Sequence, residues 1–327
     1  MPALATIGSG NIVRKHLDNL ADLDDHDDVD LVAVCDVNAE AAESLASEYD
    51  ASVFTDHENL FDEEAFDVLI VGIPPFAHTD QELLAAEHGV DLLVEKPIAL
   101  STELAREVED AIVEAGIVSQ VGHMWRYAEI TERAEELIGD RTLGLVTGHW
   151  YGGVPSVAWW RNKDQSGGQI VEQATHVYDL VRYFAGDATS VKAAGGTRIN
   201  ADVIDFEDCT AAVVEHETGV VSTLSASSAP RAGNNGVTLV GDGFDLTLDF
   251  SANRLEGVVD GDSIEHEGAA DSVQQLAMAT ELDAFLRAAK SGDSDAMLSP
   301  YGDARRTLEL TLATQRSIDT GEMVSLD

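Results

Sequence analysis

The sequence is poor in positive charge, in cysteine and in long apolar runs, and each shortage removes a class of function. Lysine and arginine number 19 in 327 residues against 61 acidic residues, for a formal net charge of −42. Lys15, Lys96, Lys163, Lys192 and Lys290 are the only lysines. A nucleic-acid binder needs a basic patch to displace counterions from phosphates, and no such cluster occurs. Nucleic acid is therefore not an expected partner. The two cysteines, Cys35 and Cys209, lie far apart, with no histidine or cysteine at metal-ligand spacing. A disulfide framework and a zinc site are both unsupported, and no metal is expected. No apolar run reaches the length of a spanning helix, so no membrane partner is expected. The apolar start, Ala3 to Ile7, runs into a glycine turn and lacks the flanks of a secretory signal. The expected location is the cytoplasm.

Hydrophobic residues make up 44% of the chain, enough for a globular core in one large or two ordinary domains. The acid is spread along the whole length, with clusters such as Asp22-Leu23-Asp24-Asp25-His26-Asp27-Asp28 between periodic segments. One reading is a site for a cationic partner. The other is an acidic surface adapted to concentrated salt, where screening removes self-repulsion. The even spread favours the second, and with it a halophilic source.

The first 120 residues alternate short apolar runs with helical periodicity. Strands are expected at Leu4–Ile7, Leu31–Cys35, Val68–Val71, Leu92–Val94 and Val118–Val121. Helices are expected at Ile12–Leu20, Ala39–Glu48, Thr79–Glu87 and Thr102–Ala115, the last capped by Ser101 and closed by Gly116. Such alternation predicts an α/β domain with a parallel, doubly wound sheet. Beyond about residue 150 the pattern changes. A loop is expected from Tyr151 to Gly168 and a helix from Val171 to Phe184. Strand-like runs follow at Val191–Thr197, Thr210–His216, Val220–Ala226, Val237–Val240 and Phe244–Leu248, with turns such as Gly233-Asn234-Asn235-Gly236 between them. This predicts an α+β second domain with a mostly antiparallel open sheet. Helices at Val273–Ala289 and Asp303–Thr320 close the chain.

Gly8-Ser9-Gly10-Asn11-Ile12-Val13 follows the first strand and opens a helix, as a pyrophosphate-binding turn does. Val13 stands where the third glycine of that fingerprint usually lies, which predicts slightly wider helix–strand packing. Asp36 ends the second strand, where a carboxylate takes the adenosine ribose hydroxyls. Val37 and Asn38 offer no cation for a 2′-phosphate, so NAD is favoured over NADP. Lys96, in Glu95-Lys96-Pro97, follows the run Val90 to Val94, at the strand end where ligands of such sheets bind. Pro74 and Pro75 stiffen the turn after Val71 that leads to His78, beside the expected cofactor or as a purely structural turn. Glu172 and His176 are four apart, so one helix would place them on one face, an imidazole beside a carboxylate. As an isolated pair they read first as a capping or packing histidine with its neighbour, but Gly167-Gly168 before them lets a substrate or backbone come close and shifts the balance. Trp159-Trp160-Arg161 is either a clamp on a sugar ring or a core plug.

Taken together, these motifs resemble the glucose–fructose oxidoreductase/inositol dehydrogenase family, Gfo/Idh/MocA, over nearly the whole chain. Gly8-x-Gly10 with His16, Pro74-Pro75-x-x-His78 and Glu95-Lys96-Pro97 are similar to its first-domain motifs. Gly122-His123-x-x-Arg126 and Trp159 through Asp179 are similar to its entry segment and substrate helix, except that Glu172 stands where many members have aspartate. The resemblance implies a Rossmann domain at 1–122 with 295–327, and a substrate and oligomerisation domain at 123–294. It implies NAD(P)-dependent oxidation of a ring hydroxyl in a sugar, cyclitol or related polyol. Lys96 and His176 would assist proton transfer, with Glu172 orienting His176. Gly8, Gly10, Asn11, Ile12, Asp36, Pro74, His78, Glu95 and Lys96 would hold the cofactor. Arg126, Trp160, Arg161, Thr175 and His176 would line the substrate site. A homodimer or homotetramer would form through the exposed face of the second sheet, which includes the low-charge run Ser222 to Ser227. Two alternatives share the fold: a non-catalytic dinucleotide- or sugar-sensing regulator, and an NAD-dependent enzyme that cleaves glycosides.

Overall fold

The computed structural model describes residues 2–26, 28–230, 232–269, 273–292 and 294–326. Asp27 of the acidic cluster, and Met1 and Asp327 at the outer ends of the first expected domain, lie outside them. The chain divides into two units, Met1–Met124 with Gln275–Arg305, and Trp125–Gln274 with Arg306–Asp327.

In the first unit the elements run β1 (Ala3–Ile7), α1 (Asn11–Ala21), β2 (Asp30–Cys35), α2 (Ala39–Tyr49), β3 (Ser52–Phe54) and α3 (His57–Glu63). They continue as β4 (Val68–Val71), α4 (Gln81–His88), β5 (Asp91–Val94), α5 (Thr102–Ala115) and β6 (Ser119–Val121). The strands form one parallel sheet in the order β3-β2-β1-β4-β5-β6. The direction of progression reverses between β1 and β4, which makes their carboxyl ends the ligand-binding crevice of such a sheet. Strands β1, β4 and β5 are almost wholly buried, which is why they read as unbroken apolar runs. Helix α5 starts where Ser101 accepts the Leu104 N–H at 3.2 Å and stops at Gly116 in the left-handed region, as its sequence predicts. The short β3 and α3 were not foreseen, since Ser52 and Val53 are exposed and carry no apolar signal.

The second unit holds α6 (Glu129–Ile138), β7 (Leu143–Tyr151), α7 (Lys163–Ser166), α8 (Gly168–Glu172), α9 (Thr175–Ala185), β8 (Ala188–Gly196), β9 (Cys209–His216) and β10 (Val221–Ser227). Next come β11 (Asn234–Gly241), β12 (Phe244–Asp249), β13 (Arg254–Val259) and β14 (Asp262–Glu267). The chain ends with α10 (Val273–Ser291), α11 (Tyr301–Thr320) and β15 (Val324–Ser325). Nine strands form one sheet, β14-β13-β12-β11-β7-β10-β9-β8-β15, antiparallel except for the β7–β10 pair. Alternation is clean: Ala212, Val214, Leu224 and Ala226 are buried while Ala211, Val213 and Val221 are exposed. Helix α9 packs on the buried face, closely enough that a Cβ at Gly148 would lie 2.5 Å from Val177 Cγ1.

Three expectations change here. The helix expected over 171–184 is broken: the Gln173 and Ala174 N–H groups both reach Gln169 O, closing α8 before α9 begins. The loop expected from Tyr151 holds a single turn at Trp159–Arg161 and α7, and β7 precedes it unforeseen. The turn expected at 233–236 is largely the start of β11, because Asn234 and Asn235 pair with Tyr151 and Trp150. The C-terminal boundaries differ as well. Leu282, Phe285 and Leu286 of α10 are buried with Leu4, Val34, Val68 and Ile70, so this helix belongs to the first unit from Gln275. The residues from Arg306 belong to the second unit, where Ser317 Oγ accepts the Ala193 N–H at 2.9 Å and β15 pairs with β8.

Candidate active site

In the first unit the turn between β1 and α1 is shaped by two glycines with different jobs. Gly8 has φ +103°, and a Cβ there would stand 2.3 Å from Gly72 O, so the close approach of two strand ends demands glycine. A Cβ at Gly10 would meet no protein atom within 4 Å. Gly10 caps α1 without a side-chain hydrogen bond, and the first turn contains no acidic residue. The N–H groups of Asn11 and Ile12 thus start a helix with no acidic residue of its own in the first turn, beside open space at Gly10. This arrangement fits a dinucleotide pyrophosphate. The expected wider packing at Val13 is not what occurs. Val13 is fully buried, and its Cγ2 occupies the space that a Cβ at Gly72 would take, 2.5 Å away. Gly72, directly after β4, compensates for the glycine missing from α1.

Asp36 is drawn into the same turn. Its Oδ2 accepts from Ser9 N at 2.9 Å and Ser9 Oγ at 2.7 Å, and its Oδ1 from Asn38 N at 2.9 Å. Val37 beside it is 94% exposed. An oriented carboxylate with an uncharged neighbour suits a ribose diol better than a 2′-phosphate. The preceding Cys35 thiol is pushed up to about 12 by burial, reinforced by the charges of Asp36 and Asp56.

Two expected cofactor residues are paired within the first unit. Glu95 is buried and its Oε1 lies 2.7 Å from Nε2 of buried His16. His78 is buried with Nδ1 2.5 Å from Glu82 Oε1, at the end of the turn that Pro74 caps. Both pairs tie loops to helices, so the Glu95 carboxylate is engaged by His16 within the first unit. Lys96 follows β5, half-buried, with a cis bond to Pro97.

In the second unit His176 lies in the first turn of α9, buried at 6% exposure, directly after buried Thr175. Its ring neighbours are Trp125 (centroids 5.3 Å) and Trp150 (5.8 Å, stacked), and Trp125 stacks on Phe250 at 4.3 Å. This aromatic wall was not foreseen. Trp125 lies inside the segment Gly122 to Arg126, and the scarcity of tryptophan in the chain was the available signal.

Two expected substrate residues have other work. Arg126 is buried and forks onto Asp179 (Nε to Oδ2 2.7 Å, Nη2 to Oδ1 2.5 Å), with the guanidinium 5.0 Å from the Tyr183 ring centroid. Thr307 Oγ1 donates to Asp179 Oδ1 at 2.8 Å, and Arg182 Nε donates to Thr307 Oγ1 at 3.1 Å. Trp160 is 1% exposed and packs edge-on against Phe206, so it is a core residue and not an open stacking clamp. Its indole N–H donates to Glu172 Oε2 at 2.5 Å. Arg161 is exposed. Because the helix breaks after Glu172, helical spacing does not set Glu172 against His176.

Residues 3–123 match the oxidoreductase family with NAD-binding Rossmann fold, Gfo/Idh/MocA, and residues 132–246 match the Gfo/Idh/MocA C-terminal domain. The chain belongs to the Gfo/Idh/MocA family. Among its relatives in that family, a 2,7-anhydro-N-acetylneuraminate hydratase of Mediterraneibacter gnavus is 32% identical over 162 residues, 48% of this chain and 42% of that protein. The NAD⁺-dependent scyllo-inositol 2-dehydrogenase of Bacillus subtilis is 27% identical over 240 residues, 71% of this chain and 68% of that protein. A levoglucosan dehydrogenase solved with NADH shares the Gfo/Idh/MocA fold with a TM-score of 0.90 at 18% identity, covering 100% of this chain and 99% of that one. Among the described residues, no cluster of His, Cys, Asp or Glu is arranged to hold a metal, and no helix is long and apolar enough to cross a membrane.

Proposed function

We propose that the protein is an NAD-dependent dehydrogenase that oxidises a ring hydroxyl of a sugar, cyclitol or related polyol. The observation that carries this reading is the meeting of the Gly8–Gly10 turn with Asp36, in a chain whose two halves both match the family. NAD would lie with its pyrophosphate over Gly8, Gly10, Asn11 and Ile12 and its adenosine ribose at Asp36, with Pro74 and His78 bordering it. Bound there, it supplies a hydride acceptor. The substrate hydroxyl must lose a proton as its carbon loses hydride. His176 is assigned as the proton acceptor, and Lys96 as the cation that favours developing alkoxide charge. Glu172 is assigned to the polar surroundings of that proton transfer. Trp150, half-buried beside His176, offers an aromatic face of the kind on which the C–H face of a sugar ring packs. Thr175 and Arg161 are kept as substrate contacts.

The same reading extends to assembly and environment. Leu145, Val213 and Val221 are exposed large apolar residues on neighbouring strands of the open sheet face, which supports a homodimer or homotetramer formed there. The net charge of −42 supports a protein adapted to concentrated salt, in a cytoplasmic setting. A second reading, chemistry without net oxidation, is favoured by the relative named as a hydratase.

The test is incubation of purified protein in high salt with NAD or NADP and a panel of polyols, aldoses and glycosides. NADH formed with a ring polyol or sugar, lost in Lys96→Ala and His176→Ala, is the expected result. Substrate conversion without added cofactor and without NADH would favour the second reading. Dinucleotide binding with no conversion of any compound would favour a sensor.

A further inference from the structure

We infer that Trp160 is a positioning residue: its buried indole N–H fixes the carboxylate of Glu172 and acts on turnover only through it. The inference deepens the proposed function and rests on the role assigned there to Glu172. Three observations carry it. The indole Nε1 lies 2.5 Å from Glu172 Oε2, a direct hydrogen bond from a buried ring. The ring cannot swing to another partner, because it is 1% exposed and wedged edge-on against Phe206 at 5.0 Å, with Ile204, Val154 and Trp159 around it. Finally, α8 ends at Glu172 and α9 starts at Thr175, so helix geometry does not aim the Glu172 side chain toward the second turn. At this helix end the indole N–H is a director of the carboxylate that does not depend on helix geometry.

The chemistry of that director matters. An indole N–H donates and cannot accept, so Oε2 must be the acceptor. Being neutral, it orients the carboxylate without cancelling its charge, as an arginine or lysine would. Oε1 is left outside this hydrogen bond, to serve a second partner.

The test uses the full chain in high salt and has two arms. The first needs no activity. The four tryptophans give four indole N–H resonances, and the one lost in Trp160→Phe identifies the group. Its downfield position should collapse upfield in Glu172→Leu, while the other three stay in place. An unchanged resonance in that variant overturns the inference, whatever the enzyme does. The second arm is kinetic. Trp160→Phe should lower kcat roughly tenfold, equivalent to about 1.4 kcal/mol, with the KM for dinucleotide unchanged. In a Glu172→Gln background the same change should cost almost nothing further, because the two residues act as one unit. Additive losses, or a loss in Trp160→Phe that follows thermal stability alone, overturn the positioning role. An intact indole shift in a protein that turns over no substrate supports the hydrogen bond and counts against the dehydrogenase reading.

Discussion

Removing the arginine of the Arg126–Asp179 pair separates a structural role from a substrate role. Both side chains are 2% exposed and joined by two hydrogen bonds, and the Thr307 hydroxyl also donates to Asp179. In Arg126→Met the carboxylate loses its buried counter-charge. Breaking a buried ion pair by deleting one partner costs about 3–5 kcal/mol. The surviving Thr307 contact places this case near the lower end, about 3 kcal/mol. A domain of this size shifts its melting point by roughly 2–4 °C per kcal/mol, so a fall of roughly 6–12 °C is expected. All four tryptophans, Trp125, Trp150, Trp159 and Trp160, lie in the second unit, so urea or thermal unfolding followed by tryptophan fluorescence reports on that unit alone. The double variant Arg126→Met/Asp179→Leu should recover more than half of the loss, since it removes the uncompensated charge as well. If Arg126→Met instead melts with the parent and only raises the KM for substrate, Arg126 is a substrate ligand and the structural argument fails.

Three other outcomes follow from the same physics. His216 is buried, with Nδ1–H donating to Gly186 O at 2.7 Å and the Ser222 hydroxyl 2.8 Å from Nε2. Burial, aided by the Arg182 charge and opposed by the Gly186 bond, lowers its pKa from the usual value of 6.5. Its contribution to stability is therefore complete above pH 6.5 and is lost as pH falls below it, because the unfolded chain takes up that proton first. His216→Gln should flatten the acid side of the melting-temperature profile, and an unaltered slope would contradict this account. Cys35, with its thiol pushed up to about 12, should resist alkylation in the native protein while half-buried Cys209 reacts; equal native rates would contradict the burial argument. With a net charge of −42, dilution from molar to low salt should lower the melting temperature, and indifference to salt would remove the halophilic reading.

What could be read from the sequence was whatever has a local pattern. The Rossmann strands are buried on both faces and appear as apolar runs, and α5 was found to the residue because Ser101 and Gly116 mark both ends. The short β3 and α3 have no such pattern, and β13 and β14 mix exposed acids with few apolar positions. At the candidate site a motif names a residue without fixing its job. Arg126 and Trp160 were recognised from their motifs, but an arginine or tryptophan is equally able to meet a ligand or a partner in the core. Only their contacts, Asp179 and Glu172, 53 and 12 residues away, decide between the two. The case of Val13 makes the reason general. Judged by its own motif it is a defect, a large residue where a small one is usual. The space it needs is provided at Gly72, just past β4, which no local window links to α1. A site residue's role is thus a property of a pair, and the second member is chosen by topology.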